Sequence, residues 1–306
     1  MKTLVLLGPY RNLTTLTTAL LSLHPNIVAF NHGMNRMPKN VLFYKEPTNH
    51  VKYEKFIRYI LENYQEGRKG SFGGDIRKCH AFETQHKEMH ELMNSDEQQE
   101  NFQNKGEQAK ALVWKESGRL TRYLRKNSNF RDFARIEELL KANPDLVFLR
   151  PIRNPVDCTQ SNIDTDHYMV TDFKRENFPN AKNRKHAFLR WLINDLIWFL
   201  KLEYCFPGRF IHYTESEFPI ERILSSLDLP PPTPEYSQQI QQGFKIVPKP
   251  FRPNLQKELT NIINKKLNSK QLPPEIKALL LETMQEYLVP SSEKETQTTS
   301  ELQEKS

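Results

Sequence analysis

Five short apolar runs are spaced along the chain, and longer segments with a helical pattern separate them. Four of the runs are uninterrupted, which is typical of strands buried on both faces of a sheet, while the fifth is more polar. The runs are Leu4–Leu7, Ile27–Phe30, Leu112–Trp114, Leu146–Leu149 and Phe210–Tyr213. Strands that alternate with helices predict an α/β fold, in which helices flank a parallel sheet.

The remaining segments differ in how apolar they are. Residues 131–142 are amphipathic and predict a surface helix, whereas residues 184–204 are apolar nearly all round and predict a central one. Residues 83–107 are polar and rich in Gln and Glu, so we expect a mobile insertion or an exposed helix there. Residues 291–306 have the composition of a disordered tail, which leaves residues 1–290 as a single predicted domain.

Composition places the chain among globular proteins. Of its 306 residues 37% are hydrophobic, and the 18 Phe and 11 Tyr are enough to fill a sizeable core. No apolar run is long enough to span a bilayer, and the first strand follows Met1 too closely for a signal peptide, so we expect a cytoplasmic protein. The three cysteines are widely spaced and odd in number, which fits a reducing compartment and no zinc site.

The net charge of +7 is unevenly spread, because acidic side chains concentrate in residues 83–107 and in the tail. The basic remainder suits an anionic ligand, although a generally basic surface would give the same balance. No run of Lys and Arg with interleaved aromatics is present, which argues against nucleic acid as the partner.

Polar residues of a particular kind follow the predicted strands. The carboxyl ends of parallel strands lie along one edge of the sheet, where ligands bind, so these residues are expected to converge. They are Gly8–Arg11, Asn31–His32, Lys115–Glu116, Arg150–Arg153 and Tyr213–Glu215. A basic edge with a His and a few carboxylates predicts an anion site with a candidate acid or base.

The stretch LVLLGPYRNLTTLTTALL, residues 4–21, has the layout of a phosphate-binding loop. Aligned with the Walker A pattern, Gly8 stands at the first Gly, Leu13 at the second, Thr14 at the Lys and Thr15 at the Ser/Thr. The cation has moved to Arg11, and backbone N–H groups at the start of the next helix can still cradle an anion. Without the Lys, hydrolysis of a magnesium triphosphate is not expected. An ordinary turn with a solvated Arg is the alternative.

A second stretch, LVFLRPIRNPVDCTQS, runs from a buried strand into Arg153. The segment Pro155–Asp157 can start a helix. A helix that starts there places Ser161 about two turns in, within reach of an anion bound near Arg153.

Together the two stretches resemble the sulfotransferase superfamily, whose donor is 3′-phosphoadenosine-5′-phosphosulfate. The family's 5′-phosphosulfate loop has the form G-x-x-[RK]-S-G-T-T, which Gly8 to Thr15 match with Asn12 in place of Ser and Leu13 in place of Gly. Its 3′-phosphate motif is similar to the stretch from Arg153 to Ser161. The Arg form of the first loop is nearer to the protein-tyrosine and Golgi-type enzymes, and the resemblance covers residues 3 to about 230, with gaps.

Three further segments carry the resemblance. HPNIVAFNHG is similar to the segment that delivers the catalytic base, VWKES to a Lys-Asp/Glu segment, and FIHYTESEFPIERILSSLDLP to the unit whose Tyr contacts the adenine. GFKIVPKPFRP is the best candidate for the basic loop that closes over the 3′-phosphate, through Lys245, Lys249 or Arg252. The resemblance therefore implies a P-loop-like fold with a set of donor-binding residues. They are Pro9, Tyr10, Arg11, Asn12, Leu13, Thr14, Thr15, Arg153, Ser161, Tyr213, Lys249 and Arg252.

The chemistry that the resemblance implies is in-line transfer of a sulfuryl group to the hydroxyl of a small-molecule acceptor, without a metal. Arg11 and Lys115 are expected to stabilise charge on the leaving 3′,5′-adenosine bisphosphate. His32 is the first candidate for the base, since a free His has a pKa of about 6.5. Glu116 is the second candidate and Glu46 a weaker third.

Two other functions remain open. One is a P-loop kinase that acts on a small molecule, against which the missing Lys argues. The other is a degenerate member that binds nucleotide without catalysis, because the β-carbon of Leu13 narrows the approach of backbone to phosphate. Neither the acceptor nor the oligomeric state follows from the sequence.

Overall fold

The computed structural model describes residues 1–31, 49–66, 91–115, 117–127, 133–173, 180–246 and 249–288. Several sequence predictions lie outside these ranges. They concern His32, Glu46, Glu116, residues 83–90 and the predicted disordered tail.

A five-stranded sheet carries the first part of the fold, and every pair of neighbouring strands in it is parallel. The spatial order is β2-β3-β1-β4-β5. All five predicted strands are present, and the predicted parallel α/β fold is confirmed. The first strand starts two residues earlier than predicted and ends one residue earlier, and the other four are one to three residues longer than predicted. The strands are β1 Lys2–Leu6, β2 Ile27–Asn31, β3 Ala111–Lys115, β4 Leu146–Ile152 and β5 Phe210–Thr214.

Helices connect the strands and follow them. Among the described residues they are α1 Thr14–Ser22, α2 His50–Gln65, α3 Asp96–Gln108, α4 Ser117–Asn127, α5 Ala134–Ala142, α6 Pro155–Asp164, α7 Ala181–Cys205, α8 Ile220–Ser226, α9 Pro234–Gly243, α10 Pro253–Leu267 and α11 Pro274–Leu288. No helix of the described residues is long and apolar enough to cross a membrane.

Both faces of the sheet are buried, which explains the continuous apolar runs in the sequence. On one face, Leu4 and Val113 pack in a core with residues of α1, α8 and α9. On the other face, Trp114 packs on Phe56 of α2, with the two ring centroids 4.8 Å apart.

Helix α3 differs from the expectation for residues 83–107. Over residues 96–108 the chain is helical, but the helix is not simply exposed, because Gln98, Phe102 and Lys105 are buried. The Nζ of Lys105 lies 4.7 Å from the centroid of the Phe102 ring. The whole Lys105 side chain is buried, and its Nζ donates a hydrogen bond to the carbonyl of Ser22.

The chain divides into two compact units. The first unit holds residues 1–152 and 206–246 and contains the whole sheet. The second holds residues 153–205 and 247–306 and contains helices α6, α7, α10 and α11. The predicted central helix is α7, whose buried face includes Phe188, Leu192 and Leu196. A single-domain organisation stays a prediction.

Candidate anion-binding site

The loop after β1 begins at a residue that has to be glycine. Leu7 donates its N–H to the carbonyl of Leu149 at 2.8 Å, and Gly8 donates its own to Thr121 Oγ1 at 2.8 Å. Gly8 has a φ of 117°, a conformation that residues with a side chain rarely adopt. A β-carbon there would also lie 3.3 Å from Nδ2 of Asn12. Gly8 therefore lets the chain turn sharply at the carboxyl edge of the sheet.

The backbone of the loop alternates in hand between Arg11 and Thr14. Arg11 has a φ of 60° and Leu13 a φ of 58°, whereas Asn12 and Thr14 do not have positive φ. Successive residues of opposite hand turn their N–H groups toward one concave side, and such a concavity binds anions. Leu13 thus adopts a left-handed backbone conformation, which glycine adopts more readily than a residue with a side chain.

Helix α1 starts from this loop without a side-chain cap. Its N-cap is Leu13, which has no side-chain acceptor, and no acidic residue stands in the first turn. The first N–H groups of a helix have no partner within the helix. The nearby Thr17 and Thr18 hydroxyls donate to the carbonyls of Leu13, at 2.9 Å, and Thr14, at 2.7 Å, and so do not accept from these N–H groups in the bonds described. The first turn of α1 can therefore offer its N–H groups to an anion.

Asn12 holds the loop in place. Its side chain is buried, and its Nδ2 donates a hydrogen bond to the carbonyl of Pro151 on β4. The side-chain amide of Asn12 is thus engaged inside the protein. The prediction that Asn12 binds the sulfuryl donor therefore concerns its backbone N–H. Arg11, by contrast, is exposed, and its side chain can reach a ligand.

Two buried cations flank the start of the loop. Lys115 ends β3 opposite Leu6 of β1, and by strand alternation it points to the α1 face, as Val113 does. Arg150 on β4 is also buried, and its Cγ would lie 3.7 Å from a β-carbon placed on Gly8. Lys115 and Arg150 therefore lie on the two strands that pair with β1, near the point where the loop starts. From the sequence, Arg150 was predicted only as one of the strand-end residues.

Tyr213 lies in the core of the first unit. Its side chain is 5% exposed, and its hydroxyl lies 2.6 Å from Oγ1 of Thr17 on α1. Burial raises the pKa of the Tyr213 hydroxyl, although the hydrogen bond with Thr17 opposes the rise. The ring packs edge-on against Phe218. The contact of Tyr213 with adenine stays a prediction. The alternative is that Tyr213 is an aromatic residue of the strand that only fills the core.

The second unit opens with the other predicted phosphate motif. Helix α6 begins with Pro155 in its first turn, as predicted, and the side chain of Asn154 caps it by accepting the N–H of Val156 at 2.9 Å. Ser161 lies on the same helix, in its second turn. Asn154 is therefore a favourable capping residue for this helix.

Three predicted cations of the second unit surround one carboxylate. Arg153 Nη2 lies 3.9 Å from Asp157 Oδ2, and both side chains are largely buried. Burial raises the pKa of the Asp157 carboxyl, while the charges of Arg153, Arg252 and Lys249 act in the opposite direction. Lys249 and Arg252 stand almost a hundred residues from Arg153, and the fold brings all three within electrostatic range of Asp157.

The two candidate bases, His32 and Glu116, lie outside the described residues. The strands that precede them differ in their distance from β1 and its loop, because β3 lies between β1 and β2. Glu116 follows the strand that pairs with β1, and His32 follows the edge strand. This order of the strands does not follow from the sequence pattern.

No protein-family model matches the sequence, and no curated protein matches it. Comparison with solved structures gives a different result. The chain is similar to solved sulfotransferases. One, from Alicyclobacillus acidocaldarius, has 13% sequence identity and a TM-score of 0.41 over 92% of this chain and 96% of that one. Another, from Mycobacterium avium, has 15% identity and a TM-score of 0.43 over 90% and 78% of the two chains.

A third similar structure is the sulfotransferase domain of a Synechococcus olefin synthase. It has 12% identity and a TM-score of 0.34 over 89% of this chain and 95% of that domain.

Proposed function

We propose that the chain is a sulfotransferase that moves a sulfuryl group from 3′-phosphoadenosine-5′-phosphosulfate to a hydroxyl acceptor. The observation that carries the proposal is the loop from Gly8 to Thr14, which alternates in backbone hand and opens into an uncapped helix. Such a loop suits a phosphosulfate. Leu13 adopts the left-handed conformation that this alternation needs, which supports the proposal over a loop that has lost its ligand.

Charge stabilisation would come from the cations at the loop. Charge builds on the phosphate as the sulfuryl group leaves, so a transferase needs fixed positive charge there. Arg11 would reach the phosphosulfate from solvent, and buried Lys115 would act from the adjacent strand. In the second unit, Arg153 and Ser161 would hold the 3′-phosphate, with Lys249 and Arg252 contributing charge.

Calorimetry with 3′,5′-adenosine bisphosphate tests donor recognition. Arg153→Ala should weaken binding of the bisphosphate by about 10- to 100-fold, the value of a charge-assisted contact. The affinity for adenosine 5′-phosphate should fall far less in this variant, because that nucleotide lacks the 3′-phosphate. Arg190→Ala is a matched control, since Arg190 is a 60% exposed cation of the same unit. Equal losses for both nucleotides would refute the assignment of Arg153.

The same experiment separates the rival functions. A kinase would bind magnesium ATP more tightly than the bisphosphate and turn it over. A degenerate member would bind the bisphosphate but transfer no sulfate to any hydroxyl compound in a broad acceptor screen read by mass spectrometry.

The base is tested by paired variants. His32→Ala should lower turnover by about 10²–10⁴-fold, because deprotonation of the acceptor contributes that much, while leaving binding of the bisphosphate intact. The acidic limb of the pH–rate profile should also be lost in His32→Ala. If Glu116→Gln abolishes turnover and His32→Ala does not, Glu116 is the base.

A further inference from the structure

The second unit contains a cavity of about 420 Å³ that the donor site does not explain. Gln160, Lys182, Lys185, His186, Arg252, Pro253, Asn254 and Leu255 line it. Only Arg252 belongs to the residues predicted to bind the donor, and neither Arg153 nor Ser161 is part of the wall. The volume falls in the range of small-molecule sites and exceeds what one bare oxyanion needs.

The wall of the cavity is cationic. Lys182, Lys185 and Arg252 supply three positive charges, His186 adds an imidazole, and no acidic residue is among the lining residues. Two of these groups are paired with carboxylates. Asp164 lies 3.9 Å from Lys185 Nζ, and Glu258 lies 3.7 Å from His186 Nδ1. Side chains that are held in this way lose less conformational entropy when a ligand binds.

Two features of the wall add hydrogen-bond donors. The first three residues of α10, Pro253 to Leu255, line the cavity, so the N-terminus of a 15-residue helix faces it. Its N-cap is Arg252, which makes no side-chain capping bond. The buried Nε of Arg252 has no hydrogen-bond partner among the described residues. Gln160 is fixed by Asp164, which accepts from its Nε2 at 2.5 Å.

We infer that this cavity binds a small organic compound that carries a phosphate or sulfate ester. The cationic wall and the helix N-terminus hold the ester group, and the remaining volume holds the rest of the molecule. The compound is either an acceptor of the proposed transfer, in which case the inference rests on the proposed function, or a separate ligand of the second unit. An acceptor and a separate ligand would both carry the phosphate or sulfate ester, and the cavity recognises that group.

Calorimetry on the full chain tests the inference, with inositol monophosphate and neutral inositol as probes. Inositol monophosphate should bind and inositol should not. Lys182→Gln combined with Lys185→Gln should weaken the binding about 10-fold or more, and Lys185→Arg should retain it. Lys257→Gln with Lys270→Gln is the control for general charge, because both lysines are exposed in the same unit and lie outside the cavity. Equal losses in the two double variants would overturn the inference.

A competition experiment separates the cavity from the donor site. The two ligands share only Arg252, so saturating 3′,5′-adenosine bisphosphate should weaken the binding of inositol monophosphate by no more than about 10-fold, the value of one charge-assisted contact. The lysine pair should not alter binding of the bisphosphate. Full displacement, with equal losses for both ligands, would assign the cavity to the nucleotide and overturn the inference. Failure of the bisphosphate to bind at all would instead count against the proposed function alone. Mass spectrometry after incubation with the sulfuryl donor distinguishes an acceptor, which gains a sulfate, from a ligand that only binds.

Discussion

Arg11 combines an exposed side chain with a left-handed backbone. That conformation costs a residue with a β-carbon about 1–2 kcal/mol, and glycine avoids the cost but makes the unfolded chain more flexible. Arg11→Gly should therefore raise the free energy of unfolding by about 0.5–1 kcal/mol, whereas Arg11→Ala should leave it nearly unchanged. Both variants should lose sulfuryl transfer. Urea denaturation and a turnover assay check the pair, and full turnover in either variant would remove Arg11 from the mechanism.

Asp157 is a carboxylate at the place where an anion is proposed to bind. Its Oδ2 lies 3.9 Å from Arg153 Nη2, so it competes with a phosphate for that cation. Asp157→Asn should strengthen binding of 3′,5′-adenosine bisphosphate by about 3- to 10-fold, because it removes a like charge from a largely buried position. Asp164→Asn on the same helix, where the carboxylate is 53% exposed, should have little effect. Weaker binding in Asp157→Asn would show that the carboxylate orients Arg153 instead.

At the scale of elements, the strands were predictable and the site was only partly so. Strands buried on both faces leave continuous apolar runs, which the sequence shows directly. The left-handed conformation of Leu13 was not predictable, because a bulky residue rarely adopts it. The grouping of Arg153, Lys249 and Arg252 depends on contacts between segments far apart in the chain. Arg150 was seen as a strand-end residue, although it belongs inside β4 and is buried there.

The contact between β5 and α1 offers a test of Tyr213. Its hydroxyl and that of Thr17 lie 2.6 Å apart, and the ring is almost fully buried. Tyr213→Phe should lower the free energy of unfolding by about 1 kcal/mol, the value of a lost hydrogen bond. Affinity for the bisphosphate should stay within about 2-fold, because the Phe ring keeps the packing. An unchanged stability with a large loss of nucleotide affinity would place the hydroxyl on the nucleotide.

At the scale of the whole molecule, two buried bases make the stability of the first unit depend on pH. Burial lowers the pKa of Lys105 to about 7, and burial together with the charges of Lys105 and Lys110 lowers the pKa of His24 to about 4. In both cases the unfolded chain binds more protons than the native one between the two pKa values, so stability rises with pH there. For Lys105 the window runs from about 7 to 10.4, and for His24 from about 4 to 6.5.

The hydrogen bonding of His24 also favours the neutral ring, in agreement with its lowered pKa. Its Nδ1 accepts the N–H of Asn26 at 3.1 Å, which requires a neutral ring, and protonation would set two donors against each other. Acidification from pH 6.5 to 4 should therefore cost on the order of 2–3 kcal/mol through this residue. In His24→Asn the amide oxygen can replace Nδ1 as acceptor but does not titrate, so the loss over that window should shrink by that amount. Urea midpoints measured across the range, with a probe of unfolding in the first unit, compare the two proteins. Parallel curves would show that His24 is not the group whose protonation destabilises the native state in acid.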